Sequence, residues 1–142
     1  MKGTVRFLGK VRFQARADSG HSLTIDGPAE VGGENQGFRP MELMLLGLAG
    51  CMAFDVLMIL RKMRQEMISY QVNIEGERAE EAPRVYTTVR MEHVFQGSNL
   101  NPHSIQRAIE LAESTYCSAS AMFAKTAKII NQYRIQSDRS NR

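Results

Sequence analysis

Residues 39–65 read RPMELMLLGLAGCMAFDVLMILRKMRQ. Pro40 suits the first turn of a helix, where its missing N–H is not needed, and no second proline follows in the stretch. The stretch closes on Arg61, Lys62 and Arg64, cations that complement the negative end of a helix dipole. Between Leu43 and Leu60 only Asp55 is charged. A helix this apolar all round is not a surface helix, and its length lies at the lower limit of a membrane span. Glu42 at one end, Asp55 inside and the polar remainder of the chain favour a central core helix over a span. A small sheet covers one face of such a helix. The other faces also need cover, and a second copy of the chain is the simplest candidate; the alternative is that residues 102–125 supply it.

Working outward, 142 residues form one domain by the usual size relation, residues 1–142, with a core that needs no disulfide scaffold. The net charge of +3 is mild and the basic residues are spread along the chain rather than clustered, which gives a nucleic-acid reading little support. Met1–Lys10 alternates like a strand instead of forming a charged-then-apolar leader. We expect a cytoplasmic protein without membrane attachment. In a reducing compartment the two cysteines, Cys51 and Cys117, are more often free, catalytic or transiently paired than structurally bridged. Nine methionines and no tryptophan indicate an adaptable apolar core.

Upstream of the helix, Val5, Phe7, Val11, Phe13 and Ala15 alternate with polar residues about a turn or bulge at Gly9-Lys10. Ser22–Asp26 reads as a short strand ended by Gly27-Pro28. Gly32, Gly33 and Gly37 make a flexible loop into the helix. It lacks the Gly-Lys-Ser/Thr ending of a phosphate loop, and Glu34 repels an anion. Downstream, residues 68–77 and 84–95 alternate as a hairpin, the second run through Val85, Thr87, Val89, Met91 and His93 on one side. Asn101-Pro102 starts a helix as cap and first position. Ser114-Thr115-Tyr116 interrupts it, a short helix begins at Cys117, Ile129–Gln136 is a last strand, and residues 137–142 fray. The order ββ–α–ββ–αα–β is an α+β arrangement.

Cys51 alone reads as an inert core cysteine or as a reactive one. Gly47 and Gly50 beside it, each costly inside a helix, point to close packing or to room left against the sulfur. Asp55 lies on the Cys51 face, one turn on. It needs a partner, an arginine or backbone donors, and reads as structural because a carboxylate beside a thiol disfavours the thiolate. Cys117, at a helix start, is expected to gain from the dipole and to have a lowered pKa. The two can form a reversible pair, or only pack. His21, His93 and His103 have no partners at metal-ligand spacing, so neither a metal nor a cofactor is expected.

Arg39-Pro-Met-Glu-Leu43 followed by Cys51, and Tyr116-Cys-Ser-Ala-Ser120 around the second cysteine, resemble the OsmC/Ohr family, the osmotically induced and organic-hydroperoxide-resistance proteins. The element order extends the resemblance over most of the chain. It implies an intertwined α+β homodimer with two sites at the dimer interface. It implies that Cys51 is the peroxidatic cysteine and Cys117 the resolving one: the Cys51 thiolate cleaves a peroxide O–O bond, Cys117 condenses with the sulfenic acid, and an external thiol, lipoyl or another dithiol, reduces the disulfide. It also implies an arginine at the thiolate. Arg16, placed in a loop before the second strand, is the first choice and Arg39 the next. Glu42 is the candidate to position that arginine. The family's acid follows the proline directly; here Met41 holds that place and Glu42 comes one residue later, nine residues before Cys51 and on the opposite helix face. The sequence looks closer to a less characterised branch of the family.

The expected function is thus a thiol-dependent peroxidase of oxidative or osmotic stress defence. Met44, Leu48, Phe54, Met122 and Phe123 line Cys51 and favour organic hydroperoxides over hydrogen peroxide. Two rivals remain: a dimer that binds a small hydrophobic ligand or senses redox state, and a structural dimer whose cysteines only pack.

Overall fold

The computed structural model describes residues 1–136; the tail 137–142, expected to fray, lies outside the described residues. The chain divides into two compact units, Met1–Met44 and Leu45–Arg142. The first is an antiparallel meander of β1 (Gly3–Gly9), β2 (Arg12–Ala17) and β3 (Ser22–Ile25) in the order β1-β2-β3. Three strands therefore precede the long helix, one more than the order read from the sequence. Gly9 and Lys10 turn the chain at φ 109° and 52°, the left-handed conformation that joins two strands tightly, so residues 3–17 make two strands.

After β3 the glycine-rich loop folds around one carboxylate. Asp26 is 2% exposed and accepts N–H bonds from Gly27 (2.8 Å), Gln36 (3.1 Å) and Glu34 (3.2 Å). Gly33 makes this possible, since a Cβ there would stand 1.9 Å from the Gly27 carbonyl oxygen. The backbone bonds to Gln36, Gly27 and Glu34 hold the Asp26 carboxyl below its usual range, against the cost of burial. The loop's amides thus serve an internal anion.

Helix α1 (Pro40–Lys62) begins in the first unit and continues in the second. Glu42 Oε2 accepts the Arg39 backbone N–H at 2.9 Å, one half of a capping box. Leu48, Met52, Val56 and Leu60 form its fully buried stripe, the i, i+4 spacing of one face. Leu46, Phe54 and Met58 are 49%, 67% and 41% exposed. The helix is long and apolar enough to cross a membrane by length and composition, but that stripe is fully buried and belongs, like Val89, Met91, Phe95, Ile105 and Ala108, to the second unit's own core.

The second unit's sheet runs β4 (Ser69–Arg78), β5 (Tyr86–Gln96), β6 (Lys128–Gln136). β4 and β5 are an antiparallel hairpin; β5 and β6 are parallel. A parallel neighbour requires a crossover. It consists of α2 (Pro102–Leu111), a π-helical turn (Ala112–Tyr116) and α3 (Ser118–Phe123). Asn101 caps α2 as expected, its Oδ1 accepting from His103 N (2.9 Å) and Ser104 N (3.4 Å). Val89, Met91 and His93 do point inward together. Val85 and Thr87 do not share that face: a register shift pairs Glu77 with Thr88 and then Arg78 with Tyr86, and this bulge reverses the alternation. Tyr86 is buried instead. Gly76 lets it in, because a Cβ there would lie 2.6 Å from the Tyr86 ring and 3.0 Å from Leu45 of α1.

Candidate active site

Cys51 sits on α1 beside the buried stripe and is half-buried, with Asp55 one turn further on and also half-buried. Cys117 comes from the crossover. The π-helical turn closes with the Cys117 N–H donating to the Ala112 carbonyl at 2.8 Å, and the next residue starts α3. Such wide turns inside helices recur at functional positions. Here the turn aims Cys117 inward, where it is 3% exposed. The two sulfurs and an Asp55 carboxylate oxygen all lie within 4.8 Å of one another, and both thiols are free. Nothing in the linear spacing of residues 51 and 117 forecast this meeting.

The electrostatics of Cys117 reverse the expectation. Its thiol is pushed up from 9.0 to about 12, first by burial, then by its hydrogen bond to Cys51, with the charges of Cys51 and Asp55 adding to the rise. The one opposing contact is the Ser120 N–H, which donates to its sulfur at 3.3 Å. A helix of six residues offers too little dipole to offset burial. Asp55 also differs from expectation. Among the described residues of the second unit no cation pairs with it; its neighbours are the two thiols.

The remaining candidates are placed as follows. Leu48 is fully buried; Met44, Phe54 and Met122 are 50%, 67% and 70% exposed. Phe123 is half-buried and stacks on Tyr86 with centroids 5.8 Å apart. A Cβ at Gly47 or Gly50 would meet nothing within 4 Å, so of the two readings for these glycines the structure has room. Arg16, Arg39 and Glu42 belong to the first unit. Arg16 is exposed and lies within β2, opposite Thr4 and Ser22, not in a loop, because the extra strand absorbs that segment. The Arg39 guanidinium donates to the Gly37 and Asp26 carbonyls (3.1 and 3.3 Å) and to Asn35 Oδ1 (2.8 Å). Glu42 is engaged at the Arg39 amide.

One group escaped the sequence reading. His93 is fully buried, with Nδ1 2.7 Å from Tyr70 Oη and Nε2 2.9 Å from Asn131 Oδ1. Asn131 Nδ2 in turn donates to Glu113 Oε2 at 2.7 Å. With the Asn131 oxygen accepting, His93 carries its proton on Nε2 and Nδ1 accepts from Tyr70. Burial lowers the His93 pKa from 6.5, and burial raises that of Tyr70. The inward parity of His93 was legible; its partners, from two other strands and the π-helical turn, were not. His21 and His103 are exposed.

Fold and site together define an α+β protein whose long helix and crossover bring two cysteines and a carboxylate face to face. The chain belongs to the OsmC-like family: the model of that family, described as OsmC-like protein, matches residues 33–131, a span that holds both cysteines. Protein YhfA of Escherichia coli K12 is 33% identical over 138 residues, covering 95% of this chain and 98% of that protein. The crystal structure of a hypothetical protein from Aquifex aeolicus VF5 superposes with a TM-score of 0.84 at 25% identity, covering 96% of each chain. An organic hydroperoxide resistance protein OsmC from Legionella pneumophila shares the fold, with a TM-score of 0.70 at 15% identity over 93% of this chain and 94% of its own.

Proposed function

We propose that the protein is a thiol-dependent peroxidase that reduces organic hydroperoxides, with Cys51 as peroxidatic and Cys117 as resolving cysteine. The observation that carries this reading is the pairing of a half-buried thiol with a buried, protonated one inside 4.8 Å. The accessible Cys51 is the one a peroxide reaches. Its thiolate attacks the O–O bond, forming Cys51–SOH and releasing an alkoxide that leaves as the alcohol after taking a proton. Cys117, which keeps its proton until then, attacks that sulfur as its S–H bond breaks; water leaves and the Cys51–Cys117 disulfide forms. Two thiol equivalents from an external reductant, a lipoyl or other dithiol, restore the pair and become a disulfide themselves. The two sulfurs, within 4.8 Å of one another, approach to about 2 Å when the disulfide forms. No cofactor enters the cycle.

A thiolate on α1 also needs a cation. By the family resemblance Arg16 is our candidate, with Glu42 the residue to position it. The open space beside Gly47 and Gly50 and the apolar side chains Met44, Leu48, Phe54, Met122 and Phe123 favour an organic substituent on the peroxide. The exposed stripe of Leu46, Phe54 and Met58 is the surface a second copy would cover, giving a homodimer that works in the cytoplasm, where thiol reductants are plentiful. The relative from Legionella, an organic hydroperoxide resistance protein by name, points to the same substrate class.

The test is stoichiometric. Reduced protein receives one equivalent of cumene hydroperoxide and its intact mass is measured beside Cys51→Ser and Cys117→Ser. The wild type is expected to lose two hydrogens, Cys117→Ser to gain one oxygen, and Cys51→Ser to stay unchanged. An unchanged wild-type mass sinks the peroxidase and leaves a dimer that binds a hydrophobic ligand.

A further inference from the structure

Cys51 and Asp55 stand one helical turn apart on α1 and project from the same face. Cys117 meets them from the crossover, and the three donor atoms lie within 4.8 Å of one another. We propose that the reduced protein binds one zinc(II) ion through the sulfurs of Cys51 and Cys117 and a carboxylate oxygen of Asp55, with water in the fourth position. A tetrahedral zinc ion holds thiolates at about 2.3 Å and so spaces them about 3.8 Å apart, a spacing of the same order as the 4.8 Å within which the three donor atoms lie. The donor set selects the metal. Calcium and magnesium require oxygen ligands, whereas two thiolates and one carboxylate suit a borderline-soft, tetrahedral ion.

The charges fit as well. Asp55 has no cation of its own among the described residues of the second unit, and it faces two groups that become anions when they lose protons. A divalent cation neutralises the negative charge that two thiolates and a carboxylate bring to one site. Binding releases the thiol protons to solvent, at most two per zinc. The site does not depend on peroxidase activity, since it requires only the reduced thiols and the carboxylate. It is however incompatible with a Cys51–Cys117 disulfide, which consumes two of its three ligands. Zinc would therefore bind the reduced state and leave on oxidation.

The reduced protein, held anaerobically, is titrated with cobalt(II), whose thiolate charge-transfer absorption reports sulfur ligation, and with zinc(II) in competition with a chromophoric chelator. One equivalent is expected, with the sulfur-to-cobalt band present. Asp55→Asn should weaken zinc binding by about tenfold or more, as loss of a site group does, and Cys117→Ser by more still, with a diminished band. The wild-type protein oxidised to its disulfide should bind nothing, a control that needs no variant to fold. Absence of saturable binding at micromolar zinc, a cobalt complex without the thiolate band, or equal affinity in wild type and Asp55→Asn each overturns the proposal. The peroxide assay is run separately with a chelator present, so failure of either reading leaves the other standing.

Discussion

Burial, with Cys51 and Asp55 as neighbours, pushes the Cys117 thiol from 9.0 to about 12, which cuts its thiolate fraction near neutral pH about a thousandfold. Iodoacetamide should accordingly label Cys51 in the native protein long before Cys117, and peptide mapping after a short pulse checks this; equal labelling of both would contradict it. A raised thiol pKa also weakens the fold in alkali. The unfolded thiol ionises above 9.0 while the folded one stays protonated, so this stability is lost as pH climbs from 9.0 toward about 12. Asp26 works in the opposite limb. Its folded pKa lies below 3.8, so its contribution is full above that value and disappears as pH falls through the folded one. Asp26→Asn should lower the melting temperature at neutral pH and flatten the acid limb of the stability profile measured by circular dichroism.

Among the elements, β5 buries Tyr86, Val89, Met91, His93, Val94 and Phe95 in the second unit's interior. Gly76 on β4 admits the Tyr86 ring and Leu45. Gly76→Ala should cost about 1–3 kcal/mol by overpacking, read from the urea midpoint. A variant as stable as wild type would mean that the ring moves aside freely. The His93 relay ties all three strands of this sheet to the π-helical turn. Its lowered pKa means that the unfolded histidine takes a proton below 6.5 while the folded one resists. Stability should therefore fall as pH drops below 6.5, and His93→Leu should remove that dependence while costing at least about 2 kcal/mol for the unpaired Tyr70 and Asn131 groups. Denaturation curves at about pH 7.5 and about pH 5.5 decide it. The relay fixes Glu113 within the turn that ends at Cys117, so the same variant should slow disulfide formation.

For the whole molecule, the open question is what covers α1. The buried stripe consumes one face, and Leu46, Phe54 and Met58 remain exposed on another. Exposed apolar side chains grouped on one helix are a feature of interaction surfaces. We expect a dimer by light scattering and a monomer, still folded by circular dichroism, for Phe54→Glu. A folded Phe54→Glu dimer, or a monomeric wild type, would send the stripe to another partner.

The nature of α1 was written in its composition: Pro40 at the start, cations at the end and one charge between Leu43 and Leu60 allow little else. The 84–95 strand was legible down to the inward parity of Val89, Met91 and His93, because a period of two shows in eleven residues. It failed at Val85 and Thr87, since a bulge is set by the partner strand and leaves no mark on the strand that carries it. Arg16 was misplaced for a related reason: a Gly-Lys turn and a bulge look alike until pairing distinguishes them. That Cys117 meets the Cys51–Asp55 pair was decided by the tertiary structure alone. Local preference acts over one turn of helix or two residues of strand. Contact between residues 51 and 117 depends on a π-helical turn and a parallel crossover, whose geometry comes from packing against the sheet.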